Sequence, residues 1–365
     1  MSNTYMFTGF PGYLATALIE DLFQNGLSME KIYLIHLPQK EKQAKAQMEI
    51  WKEGSIVDTR KVELVHGDIT KFDLGMLSPV SQKLQQEVTH LYHLAALYDL
   101  AVPLLPAWQV NVQGTRQVNL WVAHCLNLDR YIYFSTAYVS GMRKGRVYES
   151  DLIHEEGFKN HYEYTKYEAE ILVDRMRHKV PTTIIRPGIV VGHTKSGKTA
   201  KFDGPYFLLN MLEVMKHSPI LPFFGKGQAK VNLVPQDYVI AATNHLSHQP
   251  ESAGQTYHLT DPNPYEARDI YDHLCHVYAN KHPRFTVPLS LARQPLRIRA
   301  LRKSLGIQKQ ALDYFLSGAD YVSTQSQTDL MKPNIYCPDL FFYIDNLVNY
   351  YREKKEDPSK HISLF

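Results

Sequence analysis

Short apolar runs alternate with longer amphipathic segments through the first half of the chain. Six of these runs are predicted strands, at residues 5–8, 31–37, 62–66, 90–95, 131–135 and 182–191. Four segments have apolar residues near helical spacing and are predicted helices, at residues 13–25, 39–51, 108–126 and 161–177. Strands that alternate with helices in this way are typical of an α/β fold built on a doubly wound parallel sheet.

The pattern changes after Gly192, where Gly, Pro and Lys cluster through residues 193–205 and a Phe- and Leu-rich stretch follows. Two further strands are predicted, at residues 231–234 and 255–260. Beyond Pro264 the pattern is mainly helical, and the charged residues 354–360 are expected to fray. The sequence therefore predicts two units. A sheet domain is expected to occupy residues 1–192 and about 226–260, and a smaller, mainly helical lobe is expected to occupy about 193–225 and 261–365.

Composition narrows the classes of protein that fit this fold. Charged residues make up 21% of the 365 residues and the formal net charge is +3, so nothing favours nucleic acid as a partner. The three cysteines, Cys125, Cys275 and Cys337, have no metal-ligand spacing and are expected to be free thiols. The seventeen histidines do not cluster, so no metal is expected. Because the sequence shows neither a leader segment nor a long apolar run, we expect a cytoplasmic protein without a membrane span.

The first predicted strand runs directly into a glycine-containing turn, Thr8-Gly9-Phe10-Pro11-Gly12-Tyr13-Leu14, before the first predicted helix. Glycines permit close approach of the backbone to a ligand, and a helix N-terminus favours the pyrophosphate of a dinucleotide. A purely structural turn has the same two glycines, but a position between a first strand and a first helix favours a dinucleotide site. These seven residues are therefore candidate cofactor contacts.

The end of the second predicted strand bears on which dinucleotide binds. A site for NAD usually has a carboxylate there to bind the ribose 2′-hydroxyl, whereas this strand runs into Ile35-His36-Leu37-Pro38-Gln39-Lys40. Lys40, together with His36, is a candidate partner for a 2′-phosphate, and the absence of a carboxylate favours NADPH over NADH. A solvated lysine at the start of a helix is the plainer alternative.

Two other strand ends supply candidate cofactor contacts. Asp68 and Ile69 follow the third predicted strand and are expected near the adenine. Leu94, Ala95 and Ala96 follow the fourth, where small residues allow the backbone to approach a cofactor. At both places an ordinary strand-end turn is the alternative, and only the position along the fold favours the cofactor.

A set of proton-transfer residues follows the fifth predicted strand. Ser135 and Thr136 end that strand, and Tyr162 and Lys166 open the next predicted helix. Because a lysine four residues after a tyrosine lies on the same helical face, its charge favours the phenolate, which otherwise forms with a pKa of ~10. Tyr162 is thus a candidate general acid or base, Lys166 can also bind the cofactor ribose, and Thr136 can hydrogen-bond the substrate oxygen. Asn111 either supports the lysine through water or lies on a helix surface, and a buried structural tyrosine is the alternative for Tyr162.

These residues resemble the extended short-chain dehydrogenase/reductase family. The matching motifs follow the family order through about the first 240 residues: Thr8-Gly9-x-x-Gly12-x-x-Ala15, His93-Leu94-Ala95-Ala96, Asn111-Val112-x-Gly114-Thr115, Ser135-Thr136, Tyr162-x-x-x-Lys166, Arg186-Pro187-Gly188 and Val234-Pro235-x-Asp237-Tyr238. The resemblance implies a Rossmann domain that binds NAD(P) and a lobe that binds substrate. It also implies a catalytic triad of Thr136, Tyr162 and Lys166, with Ser135 and Asn111 in the cofactor site and Pro187, Gly188 and Ile189 beside the nicotinamide.

Within that family, Ser135-Thr136-Ala137-Tyr138-Val139 and the segment 186–192 look like the branch of fatty acyl reductases and thioester reductase domains. Proteins of that branch reduce acyl groups held on coenzyme A or a carrier protein. The resemblance therefore implies an oxidoreductase that transfers hydride from NADPH to a carbonyl and reduces an acyl thioester to an aldehyde. Its substrate would be an acyl or carbonyl compound, on coenzyme A or on an acyl carrier protein. Two alternatives stay open: a sugar-nucleotide epimerase with tightly bound NAD, and a non-catalytic NAD(P)-binding redox sensor.

Three further features have both a functional and a plainer interpretation. The segment 192–199 matches the phosphate-loop pattern Gly-x4-Gly-Lys-Thr, but Gly204-Pro205 soon follows and argues against the helix such a loop needs, so a substrate loop is favoured. Six apolar residues either line an acyl pocket or form a core helix: Phe202, Phe207, Leu208, Leu209, Met211 and Leu212. Five basic residues form either a solvated helix or a surface for an anionic partner: Arg293, Arg297, Arg299, Arg302 and Lys303.

Overall fold

The structure, a computed structural model, describes residues 2–288, 290 and 318–361. The strands are β1 (Asn3–Thr8), β2 (Met29–His36), β3 (Val62–His66), β4 (His90–His93), β5 (Arg130–Phe134), β6 (Gly145–Val147), β7 (Thr182–Pro187), β8 (Ile189–Val191), β9 (Leu221–Phe224), β10 (Leu233–Pro235), β11 (Thr256–Leu259), β12 (Pro283–Val287) and β13 (Ala319–Tyr321). The helices are α1 (Tyr13–Gln24), α2 (Glu41–Gly54), α3 (Ser78–Glu87), α4 (Leu104–Ala107), α5 (Thr115–Val122), α6 (His161–Asp174), α7 (Tyr206–Met215), α8 (Gln236–Ser247), α9 (Ala267–Ala279), α10 (Thr324–Met331) and α11 (Ile344–Lys354).

Seven strands form one parallel sheet in the order β3-β2-β1-β4-β5-β7-β11. The chain builds outward from β1 through β2 to β3 and then crosses back to add β4 on the other side of β1. The strand order therefore reverses between β1 and β4, and a crevice opens there at the carboxyl ends of the strands. The predicted doubly wound fold is confirmed.

The strand predicted at residues 182–191 is in fact two strands. β7 ends at Pro187 in the main sheet, whereas β8 pairs with β10 in a separate two-stranded sheet. Gly188 lies between them, where a β-carbon would be only 2.7 Å from the side-chain Oδ1 of Asn232. The backbone nitrogen of Ile189 donates to the Asn232 carbonyl at 2.9 Å, so the chain turns against this residue and leaves the main sheet.

Other elements differ from the prediction where the apolar pattern is weak. Helix α3 buries only Ser81 and Leu84, too few apolar positions to reveal it in the sequence. The helix predicted at residues 108–126 continues from α4 through a π-helical turn, Trp108–Gly114, into α5. Beyond Pro264, where the sequence predicts mainly helix, the chain also contributes β12 and β13.

The main sheet is covered on both faces, because its strands alternate apolar residues between two cores. In β1, Tyr5 and Phe7 pack with α1 and α8, while Met6 packs with α3 and α5 on the opposite face. In β5, Tyr131 and Tyr133 both lie on the face that carries Met6. Near-continuous apolar strands are what a parallel sheet with two buried faces requires.

A second body of apolar side chains packs beyond the carboxyl edge of the sheet. It gathers Phe202, α7, α9 and α11, and includes Ile270, Leu274 and Leu347. Phe202, Leu208, Leu209, Met211 and Leu212 belong to this packing and Phe207 is also buried, which favours the core-helix interpretation over the acyl pocket. Helix α10, by contrast, places Leu330 in the core of the main sheet. The division into two domains stays a prediction.

Residues 354–360 are held more firmly than the prediction of fraying allows. The Lys360 ammonium donates to the Thr199 carbonyl at 2.8 Å, and the Phe202 backbone nitrogen donates to the Lys360 carbonyl at 2.8 Å. Lys355 also pairs with Glu213 at 2.8 Å. The prediction was wrong because these partners come from a distant loop and from α7, which local charge density does not reveal.

Two further predictions concern a cluster of basic residues and the absence of a membrane span. The basic residues Arg293, Arg297, Arg299, Arg302 and Lys303 lie outside the described residues. Within residues 2–288 and 318–361, none of the helices is long and apolar enough to cross a membrane.

Replacing Gly188 with alanine should lower the free energy of unfolding by about 1–3 kcal/mol, because the new methyl group would press on Asn232. Denaturant titration followed by circular dichroism measures this change. Gly54→Ala is the matched control, since its methyl group would meet only the flexible Ile56 side chain at 3.0 Å. Equal stability of the two variants would contradict the close packing at Gly188.

Candidate active site

A cavity of about 530 Å³ opens at the carboxyl edge of the sheet, over the reversal point between β1 and β4. The sequence-predicted site residues that line it come from five separated stretches of chain: Gly9, Gly12, Tyr13, Leu14, Leu94, Ala96, Ser135, Thr136, Tyr162, Lys166, Pro187, Gly188 and Ile189. The fold thus brings the glycine turn, the hydroxyl pair, the tyrosine-lysine pair and the segment after β7 to one place. The volume is that of a small-molecule or cofactor site.

The glycine turn, residues 9–12, has a backbone that only glycine satisfies. Gly9 has φ +89°, and a β-carbon there would lie 2.7 Å from the Ala95 nitrogen. At Gly12 a β-carbon would lie 2.6 Å from the Gly9 carbonyl oxygen, which already accepts the Gly12 N–H at 2.7 Å. No side chain caps α1 at Gly12, so the N-terminal end of the helix is left for an anionic ligand such as a pyrophosphate.

Three predicted cofactor contacts lie behind this turn and support it instead of lining the cavity. Thr8 is fully buried, and its Oγ1 accepts the Ala95 N–H at 3.3 Å. Phe10 is buried with its ring 5.4 Å from that of Trp51. Pro11 lies between Phe10 and Gly12 and is absent from the cavity wall. The backbone of the turn, and not these side chains, faces the ligand space.

The residues predicted to bind the adenine end make local contacts. The Asp68 carboxylate accepts from the Thr70 nitrogen at 2.9 Å and the Thr70 hydroxyl at 2.7 Å, and Asp68 N–H donates to Leu74. Ile69 packs against Gly114, where a β-carbon would lie 2.7 Å from Ile69 Cδ1. Neither residue lines the cavity, so any contact with adenine would be made outside it.

The end of β2 carries a carboxylate that the sequence analysis missed. Lys40 is exposed in the short turn Pro38–Lys40, next to Glu41 at the start of α2. Glu41 pairs with Lys45 at 2.7 Å and lies 3.5 Å from His66, whose ring meets that of His36 edge-on at 4.9 Å. The hydrogen bond from Lys45 lowers the pKa of Glu41. The sequence does show an acidic residue next to Lys40 at the start of a helix. Only the fold places this residue beside the strand ends.

Helix α6 presents Tyr162 and Lys166 on one face, as the four-residue spacing predicts. The helix begins at a side-chain cap, where Asn160 accepts the N–H of Glu163 at 2.9 Å. Thr136 caps the short turn Ala137–Ser140 by accepting the Tyr138 N–H at 3.3 Å. The Asn160 cap fixes the start of the helix that carries Tyr162 and Lys166, and the second cap holds Thr136 itself in place.

The Lys166 ammonium is buried and makes two hydrogen bonds to groups of β5. It donates to the Phe134 carbonyl at 2.5 Å and to the Tyr133 hydroxyl at 3.0 Å. Burial lowers the pKa of Lys166 to about 7, and the charge of Glu170 opposes this shift. In the absence of a cofactor, the lysine therefore loses its proton close to neutral pH.

Burial also sets the protonation of Tyr162. It raises the pKa of the hydroxyl above the ordinary value, and the charge of Glu163 adds to the effect. The ring of Tyr98 meets that of Tyr162 edge-on at 5.0 Å. The four-residue spacing correctly predicted that Tyr162 and Lys166 share a helical face. The predicted direction of the Tyr162 pKa shift was wrong, because burial outweighs the charge of a lysine that points to Tyr133 and Phe134. A tyrosine that holds its proton suits the role of an acid.

Asn111 is buried in the π-helical turn, not on a helix surface. Its Oδ1 accepts the Leu97 N–H at 2.7 Å, and its Nδ2 donates to the Thr165 hydroxyl at 3.0 Å. The residue therefore ties the loop after β4 to the turn of α6 that contains Lys166.

The sequence analysis missed a buried ion pair beneath the site. Arg186 donates to Glu170 Oε1 through Nε at 2.8 Å and through Nη2 at 2.5 Å, and the Ser135 hydroxyl donates to the other carboxylate oxygen. The remaining Nη1 meets His258 at 3.2 Å, and burial lowers the pKa of that histidine to about 3, so it stays neutral. Glu170 follows Lys166 by four residues and lies on the same face, which was the available signal.

The cavity wall opposite the sheet is mostly apolar and comes from residues outside the predicted list: Leu97, Tyr98, Leu100, Tyr138, Val231, Leu233 and Ile270. Asp203 is the carboxylate among the lining residues, and burial raises its pKa to about 6. The six apolar residues of segment 202–212 do not line the cavity.

The segment 192–199 is a packed loop. Gly197 N–H donates to the His193 carbonyl at 2.8 Å, and Thr194 bonds through its N–H to Asp237 at 3.0 Å. The next helix, α7, begins only at Tyr206, so the geometry of a phosphate loop is absent from this segment. Thr199, at its end, lines the cavity, in line with the predicted substrate loop. Throughout residues 2–288 and 318–361, no group of His, Cys, Asp or Glu side chains is arranged to hold a metal ion.

Comparison with known proteins agrees with the fold and the cavity. A family model described as "Male sterility protein", for NAD-binding proteins, matches residues 7–243. The chain belongs to this family, within the fatty acyl reductase and thioester reductase branch of the extended short-chain dehydrogenases/reductases. The family is one of NAD(P)-dependent oxidoreductases of the short-chain dehydrogenase/reductase type.

Individual relatives are distant. The glycine betaine reductase ATRR of Emericella nidulans is 24% identical over 75% of this chain and 22% of its own length. Fatty acyl-CoA reductase 1 of Gallus gallus is 25% identical over 65% of this chain and 53% of its own length. The chain thus spans between about a fifth and about half of these relatives. The terminal R domain from the myxalamid PKS-NRPS biosynthetic pathway has the same fold, with a TM-score of 0.81 and 24% identity over 97% of this chain and 91% of that domain.

Binding of the dinucleotide should take up protons above neutral pH. The cofactor-free Lys166 has a pKa of about 7 and is mostly neutral at pH 8, and a bound pyrophosphate would favour its charged form. Titration calorimetry in two buffers of different ionisation enthalpy should show uptake approaching one proton at pH 8 and little at pH 6. The Lys166→Met variant should show none at either pH. Uptake that is unchanged in this variant would contradict the assignment of the titration to Lys166.

Proposed function

We propose that the protein reduces an acyl thioester to an aldehyde with NADPH. The observation that carries the proposal is the shared cavity, in which Thr136, Tyr162 and Lys166 face the same space as the glycine turn and the segment Pro187-Gly188-Ile189. A carbonyl group held there would lie between a proton donor and the expected position of the nicotinamide. The relative named as fatty acyl-CoA reductase 1 supports this substrate class, and the fold neighbour is the terminal R domain of a PKS-NRPS biosynthetic pathway.

The residues present fit a dinucleotide. The cradle at Gly9 and Gly12 has no room for β-carbons, and the uncapped start of α1 would bind the pyrophosphate. Gly188, held against Asn232, keeps the wall beside the expected nicotinamide free of side-chain atoms. The bound cofactor would supply the hydride, and the protein supplies its position and the proton.

Tyr162 acts as the general acid in this mechanism. Its raised pKa keeps the hydroxyl protonated until a negative charge develops on the substrate oxygen, and the Thr136 hydroxyl hydrogen-bonds the same oxygen. Lys166, once charged, stabilises the phenolate that remains after the proton has left. Hydride addition to a thioester carbon gives a tetrahedral hemithioacetal, from which the thiol leaves as the carbonyl re-forms.

The acyl chain would lie against the apolar wall. Tyr98, Leu100, Tyr138, Val231 and Ile270 belong to this wall. Coenzyme A or a carrier protein would bring the thioester to this opening.

The preference for NADPH rests on the balance between Lys40 and Glu41. Glu41 already pairs with Lys45 at 2.7 Å, which leaves Lys40 and the buried His36 to meet a 2′-phosphate. Lys40→Ala should weaken NADPH binding by roughly fivefold, about 1 kcal/mol, and leave NADH binding unchanged. Fluorescence titration of both cofactors measures this difference, with the adjacent exposed Lys42→Ala as the control. An equal loss for NADPH in both variants would show that only general surface charge matters.

Removing the Tyr162 hydroxyl should abolish turnover. Tyr162→Phe takes away the proton donor and is expected to lower kcat by about 10²–10⁴-fold while cofactor binding stays nearly intact. Tyr164→Phe removes a hydroxyl two residues along the same helix and should leave kcat within about twofold. Retained turnover in Tyr162→Phe would remove this tyrosine from the mechanism.

The substrate class is tested by following oxidation of NADPH and NADH with acyl-coenzyme A thioesters and free aldehydes of several chain lengths. Thioester-dependent oxidation of NADPH is the expected result. Tight cofactor binding without oxidation by any acyl substrate would overturn the proposal and favour a sugar-nucleotide epimerase.

A further inference from the structure

A line of buried polar side chains runs beneath the cavity floor from Lys166 to the strand end that carries the glycine turn. It begins where the Lys166 ammonium donates to the Tyr133 hydroxyl at 3.0 Å. At its far end, His93 joins the Thr115 hydroxyl through Nε2 at 3.1 Å and the Thr8 hydroxyl through Nδ1 at 2.8 Å. Thr8 directly precedes Gly9.

Tyr133 connects the two ends of this line. The Thr115 hydroxyl lies near the Tyr133 hydroxyl, where it opposes the rise in the pKa of Tyr133 that burial causes, and the Tyr133 ring lies 5.6 Å from the His93 ring. The Lys166 nitrogen also lies 4.4 Å from the centre of the Tyr133 ring, within range of a cation–π contact. One side chain thus offers the ammonium both an oxygen and an aromatic face.

The charge on Lys166 sets one direction for the hydrogen bonds. An ammonium can only donate, so the Tyr133 oxygen accepts and its hydroxyl proton points to Thr115. Thr115 can then donate to Nε2 of His93, because burial lowers the pKa of that histidine to about 3 and keeps it neutral. The Nδ1 proton is left for Thr8. The hydroxyl protons of Tyr133 and Thr115 and the Nδ1 proton of His93 then each point to an acceptor in the line.

We propose that Tyr133 is a positioning residue for Lys166, and that through Thr115 and His93 it ties the ammonium to Thr8 at the base of the glycine turn. The residues of the line lie on β1, β4, β5, α5 and α6. They connect the glycine turn to the proton-transfer residues, so that the two move as one unit. The kinetic part of its test rests on the proposed function, whereas its calorimetric part requires only cofactor binding.

Other groups also face Lys166 and contribute to its titration. Glu170 and Tyr162 approach from α6, the Phe134 carbonyl from β5, and His93 from β4. Glu170 favours the charged lysine, whereas the neutral His93 carries no charge against it. Because these groups stay in place, replacing Tyr133 alone isolates the contribution of its hydroxyl.

The test compares Tyr133→Phe with Tyr131→Phe. Both replacements keep a buried ring on the same face of β5, and Tyr131 loses a hydrogen bond to Asn119 of 3.0 Å that does not lead to the lysine. In Tyr133→Phe, the onset of proton uptake on cofactor binding should move about one pH unit lower, since the charged lysine loses an acceptor. The kcat should fall by about ten- to a hundredfold. In Tyr131→Phe, neither quantity should change.

Identical uptake curves for the two variants would overturn the role of Tyr133. If no carbonyl substrate is turned over by the wild type, the proposed function fails, while the uptake curves still decide this proposal. Thr115→Val tests the far half of the line, because it should shift the uptake curve in the same direction and Thr115→Ser should restore it. A Thr115→Val curve identical to the wild type would overturn the connection to Thr8.

Discussion

The buried pair of Glu170 and Arg186 is the contact on which the arrangement of the cavity depends. Glu170 belongs to the helix that carries Tyr162 and Lys166, Arg186 belongs to the strand that ends at Pro187, and Ser135 adds a hydrogen bond from the segment that joins β5 to Thr136. Three elements that each bring a site residue therefore meet at one carboxylate. Loss of one partner of such a pair typically costs about 3–5 kcal/mol, because the other charge is left buried without compensation.

Between this pair and the cavity, polar groups that are costly to bury hold the cavity floor in one geometry. Lys166 is removed from water almost completely, yet its donors meet Phe134 and Tyr133, and the cost of burial appears as a lowered pKa. Tyr162 shows the opposite shift for the same physical reason, since burial disfavours an anion as it disfavours a cation. The raised pKa leaves a proton on Tyr162, the residue that must donate one. The lowered pKa makes the charge of Lys166 depend on an anionic ligand.

The sequence predicted the features that depend on local spacing. The glycine turn, the alternation of strands and helices, and the shared face of Tyr162 and Lys166 all follow from residues close in the chain. What it missed depends on residues that meet only after folding. Glu41 becomes a neighbour of His66 because β2 and β3 pair, and Gly188 ends a strand because Asn232 lies against it. The direction of the Tyr162 pKa was wrong because spacing conveys proximity of charge but not depth of burial.

The interruption at Gly188 has a consequence for how such a protein can diverge. Gly188 joins two sheets. Pro187 ends a strand of the main sheet, and Ile189 begins a strand that pairs with β10. Residues of this join also form the wall beside the expected nicotinamide. Changes that repack β10 would therefore also move the wall beside the expected cofactor position. Substrate range in this fold should drift more readily in the loops that line the cavity than in the strands behind them.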